Sequence, residues 1–166
     1  MRVPAENMLG PEGQGLSENL KLFQHARSFV AIEAIGIAAA LECAIAYAKE
    51  RTQFGRPLAG HQLIQAHIAE MATELDAARL LAYRSLSLAE QGQRCEIESS
   101  MAKLFASEAA VRIASKAIQI HGAYGLSKEF PVERHFRNAR MIPIPEGISE
   151  IQKLIIGRSL LGHSAF

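Results

Sequence analysis

Long helical patterns separated by short breaks are the feature that most constrains the fold of this chain. Apolar residues recur at helical spacing from Ser17 to about Arg51, from about His61 to Gln91 and from about Ile97 to Ile120. At 1.5 Å per residue, the first of these helices would be roughly 50 Å long. Helices of that length joined by short turns pack side by side in alternating directions. The sequence therefore predicts an all-α fold, an antiparallel up-and-down four-helix bundle.

Two shorter helical patterns complete the predicted fold. Pro131 suits the first position of a short helix that reaches about Met141. The letters PIPEG interrupt the pattern, and a last helix follows with Ile148, Ile151 and Leu154 on its apolar side. No stretch alternates apolar and polar residues as a strand would, except the first few residues. We therefore expect an additional short helix beside the four-helix bundle.

The first helical pattern carries three features that a structure can test. Ser17 is the expected N-cap. Gly36 costs about 1 kcal/mol relative to Ala in a helix interior, so we expect another helix to cross closely at that point. The run VAIEAIGIAAALECAIAYA approaches membrane-spanning length, but it is rich in Ala and holds Glu33 and Glu42. A buried bundle helix is therefore predicted, and no membrane span.

The composition bears on the class of protein. The 166 residues are 49% hydrophobic, which is enough for one sizeable core. Lys plus Arg number 18 and Asp plus Glu number 17, so no overall field favours nucleic acid or an anionic membrane. Cys43 and Cys95 have no CxxC spacing, and the histidines form no HxxxH pair. Neither a disulfide framework nor a metal site is predicted.

Glu146 is the sharpest candidate for chemistry. It lies between Pro145 and Gly147, and helix propensity does not explain a lone carboxylate at such a break. The neighbouring glycine lets a ligand come close, and flanking isoleucines such as Ile144 would partly exclude water. A carboxylate in that setting is usable as a general base. The simpler interpretation, which stays open, is that Glu146 caps the last helix near its N-terminus.

Three further segments carry weaker signals. Arg51, in a break that also contains Phe54, could meet a phosphate beside an aromatic surface, although arginines at helix ends are commonly solvent-exposed. The glycines of the turn QIHGAYG would let backbone N–H groups approach an anion, but this is not a GxGxxG motif and follows no strand. Arg134, Arg137 and Arg140 recur every three residues, most simply as a solvated or salt-bridged face.

Taken together, five segments in order resemble one family. They are VPAENMLGPEGQG, ARSFVAIEAIGIAAALECAIAYAKERTQFGRPL, QIHGAYG, VERHFRNAR and PEGISEIQKLI. They resemble the C-terminal helical domain of the acyl-CoA dehydrogenase flavoproteins. The resemblance implies that residues 1–15 are the remnant of a preceding β-domain strand and linker, and that residues 16–166 form the helical-bundle domain. It also implies α,β-dehydrogenation of an acyl-CoA thioester, with a glutamate as base and hydride passing to FAD.

The resemblance implies a role for each matching position. Glu146 would remove the α-proton, and the substrate would lie over Gly147. The positions expected to meet the CoA portion of the substrate are Gln24, His25, Ala26 and Arg27. The positions expected to contact FAD are Arg51, Thr52, Gln53, Phe54, His61, Gln62, Gln119, Ile120, His121, Gly122, Ala123, Ile148, Ser149 and Glu150. Among these, residues 119–123 would reach the FAD of a neighbouring subunit.

Partners and location follow from the same resemblance. The expected partners are an acyl-CoA substrate, an electron acceptor such as an electron-transfer flavoprotein, and further copies of the chain in a homodimer or homotetramer. A cytoplasmic location is expected. Because the family's N-terminal helical domain and nearly all of its β-domain are absent, we expect this chain alone neither to retain FAD tightly nor to turn over. Two alternatives stay open: a helical oligomerisation module without catalytic activity, and an acyl-CoA oxidase or flavin monooxygenase on the same scaffold.

Overall fold

The computed structural model describes residues 3–164, with the exception of the side chain of Gln24. Nearly all of its regular structure is helical, and the all-α bundle prediction is confirmed. The elements are α1 (Gly15–Ile37), α2 (Ala40–Glu50), β1 (Thr52–Gln53), β2 (Arg56–Pro57), α3 (Gln62–Glu90), α4 (Glu96–His121), α5 (Val132–Met141) and α6 (Ser149–Leu161). The short additional helix of the prediction is α5.

Helix α4 is the centre of the molecule, because it packs against α1, α2, α3, α5 and α6. Its buried face is built mainly from alanines, including Ala102, Ala106 and Ala110, which let the neighbouring helices approach closely. Larger side chains such as Met71 and Ile113 fill the spaces between the helices and are almost fully buried. A core of this kind depends on close packing of many small side chains.

The first helix is broken, contrary to the prediction of one helix over residues 17–51. The Ala38 N–H bonds to the carbonyls of Ala34 and Ile35 at 3.2 and 3.1 Å, and the Ala39 N–H bonds to Gly36 at 3.1 Å. This tighter turn separates α1 from α2. The expectation of a close helix crossing at Gly36 is wrong for this chain, because a Cβ built there would meet nothing within 4 Å. The buried positions of this turn are alanines instead.

The start of α1 also differs from the prediction. The helix begins at Gly15, with Gln14 as N-cap and no side-chain cap. Ser17 is therefore not the N-cap; its Oγ donates to the carbonyl of Gln14 at 2.8 Å from inside the first turn. Among residues 3–14 the structure has a 3-10 turn at Ala5–Asn7 and no strand. Met1 and Arg2 lie outside the described residues, and the assignment of residues 1–15 to a preceding domain stays a prediction.

A small β-hairpin, which the sequence did not predict, follows α2. Thr52 pairs with Pro57 and Gln53 pairs with Arg56. The two residues of the turn, Phe54 and Gly55, have φ values of 54° and 78°. Two positive φ values in succession are typical of the type I′ turn that closes two-residue hairpins. The hairpin therefore places the Phe54 side chain at an exposed tip.

The described residues include one helical run of membrane-spanning length and no cluster of metal ligands. The helical run Gly15–Glu50 is long and apolar enough to cross a membrane by length and composition alone, a criterion that core helices of globular proteins also meet. Within the described part of the chain, no three His, Cys, Asp or Glu side chains are grouped so that they could hold a metal ion.

Candidate functional site

The segment between α5 and α6 carries Glu146 in a strained backbone conformation. Glu146 has φ 56° and the following Gly147 has φ 96°. A residue with a Cβ pays about 1–2 kcal/mol for the left-handed region. Only one other non-glycine residue in the described part of the chain, Phe54, has a positive φ. Backbone strain of this kind is concentrated at functional sites, and both residues belong to the set predicted from the sequence.

The Glu146 side chain faces two buried cations. Its Oε2 has no exposed surface and no hydrogen-bond partner. Arg27, on α1, is 4% exposed, and its guanidinium donates to Ser100 Oγ at 3.4 Å. Burial lowers the pKa of Arg27, while attraction by the Glu96 and Glu146 carboxylates acts in the opposite direction. A partly buried carboxylate with a free oxygen beside two cations can accept a proton from a bound molecule.

The second cation, Lys103, was not predicted from the sequence. It is 0% exposed in the middle of α4, and its Nζ donates to the carbonyls of Pro143 at 2.9 Å and Gly147 at 2.8 Å. Burial, and to a smaller extent the nearby Arg27 charge, lowers the pKa of Lys103 to about 8. One sequence signal was available: Lys103 lies at helical spacing from Ala106 and Ala110, on the face of α4 that the core covers.

Helix α6 contributes polar side chains where the sequence predicted apolar ones. Its buried residues are Ser149 and Gln152, whereas Ile148 and Ile151 are 43% and 39% exposed. The predicted apolar side of this helix therefore lies partly on the surface of the chain. The reason is that Gln152 donates to the backbone of the Glu146 segment, as Lys103 does from α4.

A groove beside α6 contains the last group of predicted cofactor residues. It has a volume of about 360 Å³, and its lining includes Ile148, Ser149 and Glu150 with Arg112 and Arg140. Ser149 Oγ is buried and has no hydrogen-bond partner. The groove thus combines two guanidinium groups and an unsatisfied hydroxyl near the N-terminus of a helix with the carboxylates of Glu108 and Glu150. Because Arg112 pairs with Glu74 at 3.0 Å, Arg140 and Ser149 are the groups available to an anion.

A second groove lies at the other end of α4. It has a volume of about 480 Å³ and is lined by Arg51, Thr52, Tyr124 and other residues. The Arg51 guanidinium carbon lies 5.7 Å from the centroid of the Tyr124 ring. The Phe54 side chain is 92% exposed at the hairpin tip. A cation and an exposed aromatic ring are close in sequence here, as a dinucleotide would require.

The hairpin is fixed by His61, and Gln62 is exposed beside it. His61 Nε2 lies 3.2 Å from the carbonyl of Gln53, and its Nδ1 lies 3.4 Å from the guanidinium of Arg56. Because Arg56 can only donate, Nδ1 accepts, and the ring proton is on Nε2, where it donates to Gln53. His61 therefore holds the hairpin in place.

The turn after α4 divides between the core and the surface. His121 is 4% exposed, stacks on Tyr47 with 4.2 Å between ring centroids, and donates from Nδ1 to the carbonyl of Ala117 at 2.8 Å. Ile120 is also 4% exposed. The side chains of these two predicted cofactor residues therefore belong to the core. Gln119, Gly122 and Ala123 are exposed.

A single chain does not bring all predicted site residues together. Lys103, which contacts the Glu146 segment, and His121 are 18 residues apart on the unbroken helix α4, a rise of about 27 Å. One group of residues therefore surrounds Glu146, and another lies at the Arg51 groove. Of the predicted substrate residues, Arg27 is in the first group, Ala26 is half-buried and His25 is exposed. The Gln24 side chain lies outside the described part of the structure.

Comparison with known proteins decides the family. The family profile described as acyl-CoA dehydrogenase, C-terminal domain, matches residues 13–161. The chain belongs to this family. The family resemblance predicted from the sequence is thereby confirmed.

Relatives in the acyl-CoA dehydrogenase family are similar over almost the whole chain. An acyl-CoA dehydrogenase of Bacillus subtilis is 50% identical over 161 residues, which are 96% of this chain and 42% of the relative. The caffeyl-CoA reductase-Etf complex subunit CarC of Acetobacterium woodii is 46% identical over 97% of this chain and 43% of its own length. The butyryl-CoA dehydrogenase structure from Megasphaera elsdenii superposes with a TM-score of 0.94 at 42% identity, covering 96% of this chain and 42% of that one. The chain thus spans less than half the length of these relatives.

Proposed function

We propose that the chain is the C-terminal part of an FAD-dependent acyl-CoA dehydrogenase and that Glu146 is its general base. The observation that carries the proposal is the Glu146 carboxylate itself. It combines a left-handed backbone, a buried oxygen without a partner, and two buried cations. None of these features stabilises the fold, whereas together they present a proton acceptor in a partly water-excluded site.

The proposed reaction assigns this chain the proton and not the hydride. Glu146 accepts the α-proton of the acyl thioester, which would lie over Gly147. Arg27, close to the carboxylate, would meet the CoA portion from α1, with Gln24, His25 and Ala26 on the same helix. FAD, when bound, supplies the acceptor for the β-hydride. The positive charges of Arg27 and Lys103 attract the carboxylate and hold it inside the cluster.

The residues present fit a flavin dinucleotide in two grooves. Arg51 offers a guanidinium for a diphosphate, and Phe54 offers an exposed ring. Arg140, with the unsatisfied Ser149 hydroxyl, offers a further anion site beside α6. Backbone groups of residues 119–123 are the available contacts at the end of α4, because the Ile120 and His121 side chains are buried.

Partners and location are part of the proposal. The substrate class is an acyl-CoA thioester, and the electron acceptor is an electron-transfer flavoprotein, since the Acetobacterium woodii relative is named as a subunit of a reductase-Etf complex. We expect a homodimer or homotetramer, no membrane span, no bound nucleic acid and a cytoplasmic location.

The test supplies the region of a relative that this chain does not span. The chain is joined to the preceding region of the Bacillus subtilis relative, and flavin bleaching is recorded without oxygen against a panel of acyl-CoAs. Glu146→Gln should lower the bleaching rate at least about 10²-fold, the lower end for a positioned base. Glu90→Gln, an exposed glutamate at the end of α3, is the matched control and should leave the rate unchanged. A Glu146→Gln protein with a near-wild-type rate would remove Glu146 from the mechanism.

A second candidate function, an oligomerisation module, is favoured by the exposed apolar side chains. Leu16, Phe29, Leu63 and Leu80 are each at least 65% exposed in the single chain. Large apolar surfaces of this kind mark interfaces. Light scattering of the chain at micromolar concentration tests this reading, since a clean monomer would contradict it. An oxidase on the same scaffold would consume oxygen without an added electron acceptor, whereas a dehydrogenase would not.

A further inference from the structure

Lys103 is a fully buried cation whose hydrogen bonds to the backbone the proposed reaction does not explain. It is 0% exposed, and it lies on α4 among alanines. Removing a lysine from water costs several kcal/mol unless its charge and its N–H groups are compensated. Its Nζ is compensated by backbone carbonyls, those of Pro143 at 2.9 Å and Gly147 at 2.8 Å. An apolar side chain at this position would have avoided the cost of burial but could not have bound those carbonyls.

Gln152 binds the same segment from a different helix. It is 0% exposed on α6, and its Nε2 donates to the carbonyl of Gly147 at 2.9 Å and to that of Glu146 at 3.2 Å. The Gly147 carbonyl therefore accepts from both side chains. Between them, Lys103 and Gln152 satisfy three carbonyls within residues 143–147. This number of side-chain bonds to so short a segment leaves its backbone little freedom.

The bound segment is the one that holds Glu146 in an unfavourable conformation. Glu146 and Gly147 have φ values of 56° and 96°. Left-handed backbone at a residue with a Cβ persists only where surrounding contacts impose it. A Cβ built on Gly147 would lie 2.5 Å from Gln152 Nε2. The requirement for glycine after Glu146 is therefore partly a consequence of the Gln152 contact.

We propose that Lys103 and Gln152 are positioning residues, which clamp the carbonyls of residues 143–147 and thereby hold Glu146 in the left-handed conformation that keeps its carboxylate inside the cluster. The proposal rests on the proposed function of Glu146 for its catalytic consequence but not for its structural one. Neither side chain touches the reacting atoms. Their effect on the reaction passes through the placement of the carboxylate, and a displacement of about 1 Å at a reacting group can cost about 10²-fold in rate.

The structural consequence is tested in the 166-residue chain by NMR. With glutamate labelled by ¹⁵N and ¹³C, the coupling and the NOE between the amide and α protons of Glu146 report the sign of φ. In the wild type they should show a single positive φ. In Lys103→Met, which keeps an unbranched side chain but removes the ammonium group, and in Gln152→Met, they should show an average that includes negative φ. Should Lys103→Met fail to fold, Gln152→Met, which leaves the buried cation in place, carries the test.

The control separates clamping from general stability. Ile113 is 1% exposed on α4, ten residues from Lys103, or about 15 Å along the helix. Ile113→Val should lower the unfolding midpoint and leave the Glu146 signals unchanged. A positive φ retained at Glu146 in both Lys103→Met and Gln152→Met would overturn the proposal.

The catalytic consequence is tested in the fusion of this chain with the preceding region of the Bacillus subtilis relative. Lys103→Met and Gln152→Met should each lower kcat per bound flavin at least about 10-fold, with KM for the acyl-CoA within about 3-fold, because the substrate is still bound but the base is misplaced. Because both residues share the Gly147 carbonyl, the double variant should lose less than the product of the two single losses. A loss explained entirely by a smaller folded fraction, with kcat per flavin unchanged, would overturn the positioning role.

The proposed function of Glu146 and the proposed clamp can be refuted independently of each other. If Glu146→Gln keeps wild-type activity while Lys103→Met changes φ at Glu146, the proposed function fails and the clamp stands as a structural feature. If Glu146→Gln abolishes activity while Lys103→Met and Gln152→Met change neither φ nor kcat, the proposed function stands and the clamp fails.

Discussion

The burial of Lys103 predicts an unusual dependence of stability on pH. Burial lowers the pKa of Lys103 from its ordinary value of 10.5 to about 8 in the folded chain. Between these two values the unfolded chain keeps a proton that the folded chain has released. The free energy of unfolding therefore rises with pH in this window, since the unfolded state binds more protons there. Below about pH 8 the folded chain carries the full cost of the buried charge.

The size of the effect follows from the same shift. One pKa unit corresponds to about 1.4 kcal/mol, so the full shift sets a ceiling of about 3 kcal/mol. Solvent screening near residues 143–147 reduces this contribution. We therefore expect the free energy of unfolding to rise by about 1–2 kcal/mol between about pH 7.5 and pH 10. Lys103→Met removes the titrating group while keeping an unbranched side chain, so the variant should not show this gain.

Urea unfolding followed by circular dichroism, at several pH values across the window, measures the effect. Burial raises the pKa of Cys43 and of Cys95, which makes stability fall with rising pH. Both thiols are present in the wild type and in the variant, so the difference in unfolding free energy between the two isolates Lys103. Ile113→Val, a destabilised control, should give a curve parallel to that of the wild type. A wild-type-minus-Lys103→Met difference that stays constant across the window would refute the reasoning.

Four further predictions concern single positions. Gly125→Ala should destabilise the chain by about 1–3 kcal/mol in urea unfolding, because the new Cβ would lie 2.7 Å from the Ile118 carbonyl oxygen. Gly157→Ala, in α6 with open space around the new Cβ, should stabilise it by about 0.5–1 kcal/mol, and a loss of stability would indicate a contact that a single chain lacks. Gly36→Ala should also stabilise the isolated chain, and a loss would reinstate a close helix crossing. Burial lowers the pKa of His121 from 6.5, so stability should fall as the pH drops below about 6.5, and His121→Gln should reduce that fall.

The long helices were predictable because they repeat their apolar spacing many times. The helix predicted over residues 61–91 is observed as α3, Gln62–Glu90. The break between α1 and α2 was not predictable, since residues 37–41 are all good helix formers or apolar. Tertiary packing of the buried Ala38 and Ala40, and not local preference, sets the position of that break. The hairpin strands are two residues long, too short to show an alternating pattern.

The site was predictable only where a proline and a glycine interrupt the helical pattern of the sequence. Pro145 and Gly147 set Glu146 apart in the sequence, and the structure places it on strained backbone. Lys103 and Gln152 carry no such mark, because a charged or amide side chain in a helix usually faces water. Only their position on the covered face distinguishes them, and that face is known once the neighbouring helices are in place.

The charged residues Arg27, Lys103 and Glu146 bear on the choice between an assembly module and an enzyme. Replacing a buried ionic cluster by well-packed apolar residues is often neutral or stabilising by about 1–4 kcal/mol. A bundle that served assembly alone would gain by such a replacement at Arg27, Lys103 and Glu146, yet the chain keeps all three. The Arg51 groove lies about 27 Å along α4 from this cluster, so a cofactor contacting both must either extend along the helix or lie between two copies. In the second case the exposed apolar faces and the buried charges belong to one site, and the assembly and enzyme readings become parts of a single function.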